Sequence, residues 1–292
     1  MEINLELYKV FYYVAETLSF SDAAKKLYIS QSAVSQSVKA LELRLDKTLF
    51  KRSTKHVALT KEGEILYKHI EPALNLIERG ESQLLKADFM GDTQLRIAAS
   101  DTICRYFLVP YLDDFHKKFP QVHINVSNGT SYDCANMLAA NKVDIIVTNS
   151  PNTSLTGSMK VKTIKEFQDV FILNPKHFHI KRTLILKELL EYPILMLTKN
   201  STTSEFLHNV CLKHSLDLVP EIEISSNDLL IDLARIGLGI AFLPDFCLKE
   251  GDKDLIPIRI KENLPKRHLV SAHNATIPLS EAGEYFLEKL GQ

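Results

Sequence analysis

Apolar positions at helical spacing predict three helices within the first sixty residues. The first spans residues 5–18, with an apolar face of Leu5, Tyr8, Phe11, Tyr12, Ala15 and Leu18. The second is short and begins at Asp22, where Ser21 is the expected N-terminal cap. After a turn at residues 28–30, a third helix carries the core-facing series Val34, Val38, Leu41 and Leu45.

The opposite face of the third helix is polar, which is typical of a helix that lies in the DNA major groove. Its short hydroxyl and amide side chains can hydrogen-bond base edges and phosphates. The following segment, residues 49–60, has a basic tip between two apolar stretches and predicts a short hairpin, or wing, that touches the DNA backbone. The predicted DNA-binding residues are Ser21, Gln31, Ser32, Ser35, Gln36, Lys39, Arg52, Ser53 and Lys55.

Charge favours the same interpretation. Residues 20–60 contain eight Lys or Arg against three Asp or Glu, in a chain whose net charge is -1. Single charges usually mark a solvated surface, but a basic cluster on a two-helix unit of this kind indicates nucleic-acid binding.

A long helix is predicted from residue 60 to residue 87, with Thr60 as its cap. Its apolar positions approach a heptad repeat, which favours a dimerisation helix over one packed only on its own domain. Pro72 interrupts this repeat and should bend the helix. A two-fold dimer would bind an imperfect inverted repeat in DNA. The predicted seam is Leu66, Ile70, Ala73, Ile77, Gly80 and Leu84.

From residue 94 onward, short β-rich runs alternate with amphipathic stretches, which predicts an α/β region after a hinge at 88–93. The predicted strands are Leu95–Ala99, His123–Ser127, Asp144–Thr148, Val170–Leu173, Ile194–Leu197, Glu221–Ile224, Ile240–Leu243 and Leu269–Ala272. The predicted helices are Thr102–Phe119, Ser131–Asn141, Ser204–His214, Asn227–Ile236 and Leu279–Leu290. Gly237 and Gly239 should provide a left-handed residue and a close approach between the fourth of these helices and the next strand.

The run from Phe11 to Gly63, FYYVAETLSFSDAAKKLYISQSAVSQSVKALELRLDKTLFKRSTKHVALTKEG, resembles the N-terminal domain of LysR-type transcriptional regulators. The resemblance starts at Leu5, and the order of elements extends it to the whole chain. Ser32 stands where the family often has Pro, and Lys55 where it often has Arg. The resemblance implies a dimer or a dimer of dimers that binds double-stranded DNA at promoters, responds to a small effector and acts on RNA polymerase.

The resemblance also implies a division of the chain. Residues 1–60 would form an all-α winged helix-turn-helix domain, 61–90 a linker and dimerisation helix, and 91–292 an effector-binding domain of two α/β lobes like those of periplasmic binding proteins. Lobe I would comprise about 91–163 and 267–292, and lobe II about 164–266. The chain would cross between lobes near 161–166 and return near 264–268.

Hydroxyl- and amide-rich segments follow several predicted strands. Ligands of open α/β lobes bind beyond the carboxyl ends of strands, where helix N-termini present free amides. Each segment alone is also what helix capping requires. The resemblance implies that together they form the effector cleft, and their amides and hydroxyls favour a small anion. Asp101 argues against an anion: it would either stabilise the helix end from outside the cleft or select a ligand that also carries an amine. The predicted effector-binding residues are Ser100, Asp101, Thr102, Asn128, Gly129, Thr148, Asn149, Ser201, Thr202 and Asn227.

Composition restricts the function further. A length of 292 residues predicts about two domains. No apolar run approaches the ~20 residues of a membrane helix, and the N-terminus has acidic Glu2 and Glu6 in place of a signal peptide. We therefore expect a cytoplasmic protein with no membrane partner. The four cysteines, Cys104, Cys134, Cys211 and Cys247, show no metal spacing, so we expect reduced thiols, no metal and no cofactor.

Three alternatives remain open. One branch of the resembled family senses peroxide through two cysteines near residues 201–211, but here Cys211 has no cysteine partner earlier in that segment, which opposes a redox-responsive regulator of the same fold. An enzyme with an appended DNA-binding domain lacks support because GxSxG, GxxxxGK[ST], GxGxxG and HExxH motifs are missing. A solute-binding protein would explain the second half alone, without the DNA-binding domain. We therefore predict a non-enzymatic transcription regulator controlled by a small effector.

Overall fold

The computed structural model describes residues 3–52, 56–86, 94–180, 182–248 and 254–291. Its contacts divide the chain into two compact units, formed mainly by Met1–Phe89 and by Met90–Ala139 with Val143–Gln292. None of the helices in these described ranges is long and apolar enough to span a membrane.

The first unit begins with three helices: α1 (Leu5–Thr17), α2 (Phe20–Leu27) and α3 (Gln31–Leu45). Their apolar faces pack around Phe11, Val34, Val38 and Leu41, all of which are fully buried. The strands β1 (Phe50–Arg52) and β2 (Val57–Leu59) pair antiparallel as the predicted hairpin. Its tip, including the predicted DNA contacts Ser53 and Lys55, lies outside the described residues.

Two details of the predicted helices were wrong. Ser19, rather than Ser21, caps α2: its Oγ accepts a hydrogen bond of 3.2 Å from the Asp22 amide, three residues on. In α1, Leu5 and Leu18 are 57% and 49% exposed, because they lie at the two ends of the helix; Leu18 is its left-handed C-terminal cap.

The helix α4 (Lys61–Lys86) follows the hairpin and contains Pro72, as predicted. The Gly63 amide donates a 3.0 Å hydrogen bond to Thr60 Oγ1, which caps the helix. Leu66 and Ile70 pack against the apolar core of the first unit, so these two predicted seam positions are used within the chain. The side chain of Leu84 and the hinge at 88–93 lie outside the described residues.

In the second unit, lobe I is built on a five-stranded sheet ordered β4-β3-β5-β12-β6. Strands β3, β4 and β5 are parallel, whereas β12 pairs antiparallel with β5 and β6. The strands are β3 (Gln94–Ala99), β4 (His123–Asn128), β5 (Ile145–Ser150), β6 (Met159–Phe167) and β12 (Arg267–Asn274). The lobe's helices are α5 (Asp101–Ile103), continued by a π-helical turn Cys104–Leu108 into α6 (Val109–Lys118), then α7 (Ser131–Ala139) and α11 (Glu281–Leu290).

Lobe II has a second five-stranded sheet, ordered β11-β7-β10-β8-β9. In it, β8 pairs parallel with β9 and β10, whereas β7 pairs antiparallel with both β10 and β11. The strands are β7 (Asp169–Leu173), β8 (Ile194–Leu197), β9 (Ile222–Ile224), β10 (Ile240–Pro244) and β11 (Ile256–Ile258). The helices are α8 (Leu186–Leu189), α9 (Thr202–Lys213) and α10 (Asn227–Arg235).

The crossing between lobes differs slightly from the prediction. Strand β6 continues in the lobe I sheet to Phe167, and β7 of lobe II begins at Asp169. The crossing is therefore at Gln168, and the boundary predicted near residue 163 falls inside a strand. The return leads into Arg267, the first residue of β12. Strands β6 and β11 and helix α8 were not predicted.

The passage from α10 to β10 depends on two glycines, as predicted. Gly237 has φ +81°, a conformation that costs other residues energy. A side chain at Gly239 would meet the carbonyl oxygen of Pro193 at 2.5 Å. These glycines bring α10 close to its sheet and so help to position Asn227 at the other end of the helix.

Candidate functional site

A cavity of about 520 Å³ lies within the second unit, where the carboxyl ends of strands meet the N-termini of helices from both lobes. Lobe I contributes the segments that follow β3 and β4 together with Asn149 near the end of β5, and lobe II contributes those that follow β8, β9 and β10. We call it the interlobe cleft. Its lining residues are Ser100, Asp101, Thr102, Ile103, Asn128, Gly129, Thr130, Ser131, Asp133, Asn149, Leu197, Thr198, Ser201, Thr202, Thr203, Ser225, Ser226, Asn227, Pro244 and Phe246.

Nine of the ten predicted effector-binding residues line this cleft: Ser100, Asp101, Thr102, Asn128, Gly129, Asn149, Ser201, Thr202 and Asn227. Thr148 does not. Its side chain is fully buried, and its Oγ1 donates to the Ser131 carbonyl over 3.4 Å and accepts from Asn152 Nδ2 over 3.2 Å. Because successive strand residues point to opposite faces, Thr148 and its neighbour Asn149 cannot both face the cleft. Thr148 therefore stabilises the wall of lobe I.

Serine hydroxyls cap the N-termini of the helices that begin at the cleft. Ser100 Oγ accepts from the Ile103 amide over 3.3 Å, Ser201 Oγ from the Thr203 amide over 3.2 Å, and Ser226 Oγ from the Leu229 amide over 3.4 Å. Ser100 and Ser201 therefore do act as helix caps, which is the alternative role that their sequence positions suggested. Both residues also line the cleft.

Two hydrogen bonds between cleft side chains join the lobes. Asn227 Nδ2 of lobe II donates to Thr102 Oγ1 of lobe I over 2.8 Å. Asn149 Nδ2 of lobe I donates to Thr202 Oγ1 of lobe II over 3.3 Å. All four side chains were predicted as effector contacts, yet the sequence gives no sign that they pair with one another.

Further contacts join the lobes outside the cleft lining. The Tyr132 hydroxyl of α7 donates to Glu205 of α9. On another side, the Tyr106 hydroxyl donates to Asp228 Oδ1 over 2.6 Å, and Arg105 forms a 3.3 Å ion pair with the same carboxylate. Burial and then the neighbouring carboxylate raise the pKa of Tyr132 to about 12, which keeps its hydroxyl protonated as a donor. The lobes are therefore held together in the described conformation.

The charged groups that line the cleft are both acidic. Asp133 Oδ2 accepts from the amide and the hydroxyl of Thr130 over 2.9 and 2.7 Å. Asp101 Oδ1 accepts from Asn128 Nδ2 over 3.4 Å. Within the described ranges no Lys or Arg side chain lines the cavity. Both carboxylates thus belong to lobe I, and at the lobe II wall the cleft presents hydroxyl and amide groups without an acid.

Several lining residues were not among the predicted effector contacts, although Thr130 and Thr203 belong to the hydroxyl-rich segments that were identified from the sequence. Thr130, Ser131, Asp133, Thr198, Thr203, Ser225 and Ser226 are also polar and also adjoin strand ends or helix starts. The signal that identified Ser100 and Asn128 applied equally to these residues. Leu197, Pro244 and Phe246 are apolar and carried no such signal.

The first unit presents a second candidate surface on α3. Gln31, Ser32, Gln36 and Lys39 are exposed, and Ser35 is half-buried between them. Positions 32, 35, 36 and 39 share one face of a helix. The opposite face, including Val34 and Val38, is buried in the core, so the polar face points away from the core.

The remaining predicted DNA contacts belong to α2 and to the hairpin. Ser21 is exposed in the first turn of α2 rather than at its cap. The backbone of Arg52 lies in β1, and its side chain is outside the described part, as are Ser53 and Lys55. Glu42 Oε1 accepts from the amides of Leu49 and Phe50 over 2.7 and 3.3 Å, which fixes the start of the hairpin relative to α3.

The cysteine thiols lack the features of a reactive site. All four are free, and burial raises the pKa of Cys104 and Cys211 to about 11 and that of Cys134 to about 12. Reactive cysteines have a lowered pKa, so these values weigh against the redox alternative. Among the described residues no group of three or more His, Cys, Asp or Glu side chains is arranged to hold a metal ion.

Comparison with known protein families identifies both parts of the chain. Residues 5–64 match the family model described as bacterial regulatory helix-turn-helix protein, lysR family, and residues 91–292 match that of the LysR substrate binding domain. A probable RuBisCO transcriptional regulator from Cyanidium caldarium is 30% identical over 93% of this chain and 88% of its own. The HTH-type transcriptional regulator CysL from Bacillus subtilis is 27% identical over 98% of this chain and 96% of its own.

Solved structures agree with this assignment at the level of the fold. A full-length OxyR variant from Pseudomonas aeruginosa is 20% identical and superposes with a TM-score of 0.69, covering 99% of this chain and 95% of that one. Full-length CbnR in complex with its target DNA is 18% identical, with a TM-score of 0.65 and 99% coverage of both chains. The chain belongs to the LysR family and is a LysR-type transcriptional regulator.

Proposed function

We propose that this regulator binds an imperfect inverted repeat as a dimer, or as a dimer of dimers, and that a small effector in the interlobe cleft changes the geometry of the bound DNA. The proposal rests above all on the two hydrogen bonds across the cleft, Asn227–Thr102 and Asn149–Thr202. A ligand that enters the cleft meets the groups that join the lobes, so its binding and the lobe arrangement are coupled.

DNA recognition is assigned to α3, with Gln31, Ser32, Ser35 and Gln36 as contacts to base edges and Lys39 to the backbone. These side chains form an outward polar face opposite a buried apolar one. Arg52, Ser53 and Lys55 of the wing are proposed as backbone contacts on the basis of the sequence alone. Ser21 is also proposed as a DNA contact because its side chain is exposed in the first turn of α2.

Dimerisation is assigned to α4. Ile65, Leu76 and Ile77 are 62%, 42% and 44% exposed along this helix. Exposed aliphatic side chains on a long helix favour burial against a second helix. Because Leu66 and Ile70 already pack within the chain, we place the seam with a second copy mainly after Pro72.

The effector is assigned to the interlobe cleft, whose volume of about 520 Å³ suits a small metabolite. Hydroxyls, amides and helix N-termini predominate, which favours oxygen-rich anions. The effector can act only if it binds one arrangement of the lobes more tightly than another. Its expected consequence is a change in the spacing and bending of the DNA contacts, through which the response reaches RNA polymerase.

DNase I footprinting tests this proposal. Purified protein is titrated on the DNA upstream of its own gene and of the neighbouring gene, with and without metabolites of the neighbour's pathway. We expect a two-part footprint whose length or hypersensitive positions change with one metabolite. A footprint that stays the same with every metabolite that alters transcription would contradict the coupling, and a footprint with no two-fold pattern would contradict the dimer.

A matched pair of variants ties the response to the cleft. Thr202→Val removes a cleft hydroxyl that bonds Asn149, and we expect it to retain the footprint and to lose the metabolite response. Thr156→Val removes an exposed hydroxyl in lobe I that bonds Ser158, and it serves as the control with an unchanged response.

A further inference from the structure

A buried arginine lies directly behind the cleft. Arg267, the first residue of β12, is 1% exposed. Its Nη1 donates to Asp169 Oδ2 over 2.8 Å and to Thr203 Oγ1 over 3.1 Å. Asp169 is the first residue of β7, so this ion pair joins the two strands that meet at the lobe crossings. Thr203 lines the cleft, and Arg267 therefore connects the crossings with the cleft wall.

The guanidinium is held in one position. It lies over the rings of Phe167 and Phe206, with its central carbon 5.3 and 5.2 Å from their centroids. One ring belongs to lobe I and the other to α9 of lobe II. The two rings and the Asp169 carboxylate restrict the guanidinium to one orientation. Its hydrogen bond to Thr203 therefore has a defined direction.

That bond biases the Thr203 hydroxyl toward donating. A guanidinium only donates hydrogen bonds, whereas a hydroxyl has one proton to donate and two lone pairs that accept. Because Arg267 uses one lone pair of Thr203 Oγ1, the hydroxyl keeps its proton and one lone pair. Accepting a bond from a cation also polarises the O–H group and strengthens it as a donor.

Arg267 carries further unused donor capacity. Within the described ranges, its Nε and Nη2 have no hydrogen-bond partner, and neither has Asp169 Oδ1. Leaving buried polar groups unpaired opposes folding, and sites that tolerate such groups tend to be functional. Arg267 thus keeps two donor groups without a partner among the described residues behind the lobe II wall, while the acids of the cleft, Asp101 and Asp133, lie in lobe I.

We propose that Arg267 is a positioning residue that makes Thr203 a hydrogen-bond donor and thereby selects an effector with an oxyanion, a carboxylate, sulfate or phosphate group, at the lobe II wall. This inference rests on the proposed location of the effector in the interlobe cleft. The hydroxyls, amides and helix N-termini of the lining favour an anion in general, and Arg267 adds a specific residue, Thr203, at which the oxyanion would bind.

The test uses the full-length protein and three probes: inorganic sulfate, inorganic phosphate and succinate, each compared with chloride at matched ionic strength. Melting temperatures and calorimetric titrations give the affinity. We expect at least one probe to bind, and Thr203→Val to weaken its dissociation constant about tenfold, as loss of one hydrogen bond to a charged group should. Thr203→Ser keeps the hydroxyl and should restore binding to within about twofold.

A second comparison removes Arg267 itself. Arg267→Met alone leaves Asp169 buried without its partner and can prevent folding. The double variant Arg267→Met with Asp169→Leu removes both charges and should fold; we expect it to lose about tenfold in probe affinity, as Thr203→Val does. A merely structural role for Arg267 predicts that this folded double variant binds the probes like the wild type, which would overturn the proposal.

Anion binding and DNA footprinting test the two proposals separately. If the wild type binds none of the three anions, or if Thr203→Val binds them unchanged, the inference is overturned. The footprint of the same preparation, and its response to metabolites, is measured separately and decides the proposed function.

Discussion

Asn227 and Thr102 lie 125 positions apart in the chain and in different lobes, yet Asn227 Nδ2 donates a hydrogen bond of 2.8 Å to Thr102 Oγ1. Asn227 begins α10 and is 4% exposed, and Thr102 is in the first turn that follows β3. The bond thus joins the N-termini of two helices across the cleft. Together with Asn149–Thr202, it makes the lining of the cleft part of the contact between the lobes.

We predict that Asn227→Ala weakens the contact between the lobes and abolishes the effector response. A neutral hydrogen bond contributes about 1 kcal/mol, enough to shift the equilibrium between two lobe arrangements about fivefold. The N-terminal unit is unaffected, so the footprint should persist while its dependence on metabolites is lost. Footprinting with the active metabolite measures both. Asp232→Ala, on the same helix but paired with Arg235 at the surface, should respond like the wild type.

Gly237→Ala should destabilise lobe II. Its φ of +81° costs an alanine about 1–2 kcal/mol, and the added carbon would clash with the ring of His177. We expect the free energy of unfolding to fall by about 2 kcal/mol or more, measured by urea denaturation. Gly157→Ala is the control, because nothing lies within 4 Å of its added carbon. If both variants unfold at the same urea concentration, the strain at Gly237 is not as described.

The fold was largely predictable because local periodicity identifies its main elements. Strand β5 is an example: Ile145, Ile146 and Val147 are fully buried, and such a continuous apolar run indicates a central parallel strand. Strand β6 was missed for the opposite reason. It occupies a sheet edge, and most of its residues between Met159 and Phe167 are exposed, including several lysines. Its sequence MKVKTIKEF alternates apolar and polar residues only at its start, so its apolar signal is weak.

The cleft was predictable only in part. Hydroxyl and amide residues at strand ends identified nine lining residues, since helix capping and ligand binding use the same side chains at the same places. The prediction of Thr148 as an effector contact was wrong. Strand β5 continues past it to Ser150, and the Thr148 side chain is buried in the wall of lobe I. Arg267 was not recognised at all. Its burial depends on Asp169, 98 positions earlier, and no local pattern encodes a partner at that distance.

The thiols should react slowly in the folded protein. The thiolate is the reactive form, and burial raises the pKa of Cys104, the half-buried thiol, to about 11. At pH 7.5 the folded protein should therefore react with iodoacetamide far more slowly than the unfolded one, and the rate should rise as pH increases toward 11. Mass spectrometry of the four sites after timed labelling measures this. Rapid labelling of Cys211 at pH 7.5, or a footprint altered by peroxide, would favour the redox alternative.

The final prediction concerns the exposed face of α3. Lys39 is exposed on the same face as Ser32 and Gln36, and we assign it to a DNA phosphate. Lys39→Ala should weaken binding to specific and unrelated DNA by similar factors, and it should reduce the slope of log affinity against log salt by about 1. Fluorescence anisotropy from low to high potassium chloride measures the slope. Gln36→Ala is the matched comparison: loss of a base contact should weaken specific binding by about 1–3 kcal/mol and leave the slope unchanged. The assignments of the two residues would be reversed if Gln36→Ala changed the slope and Lys39→Ala changed only the sequence preference.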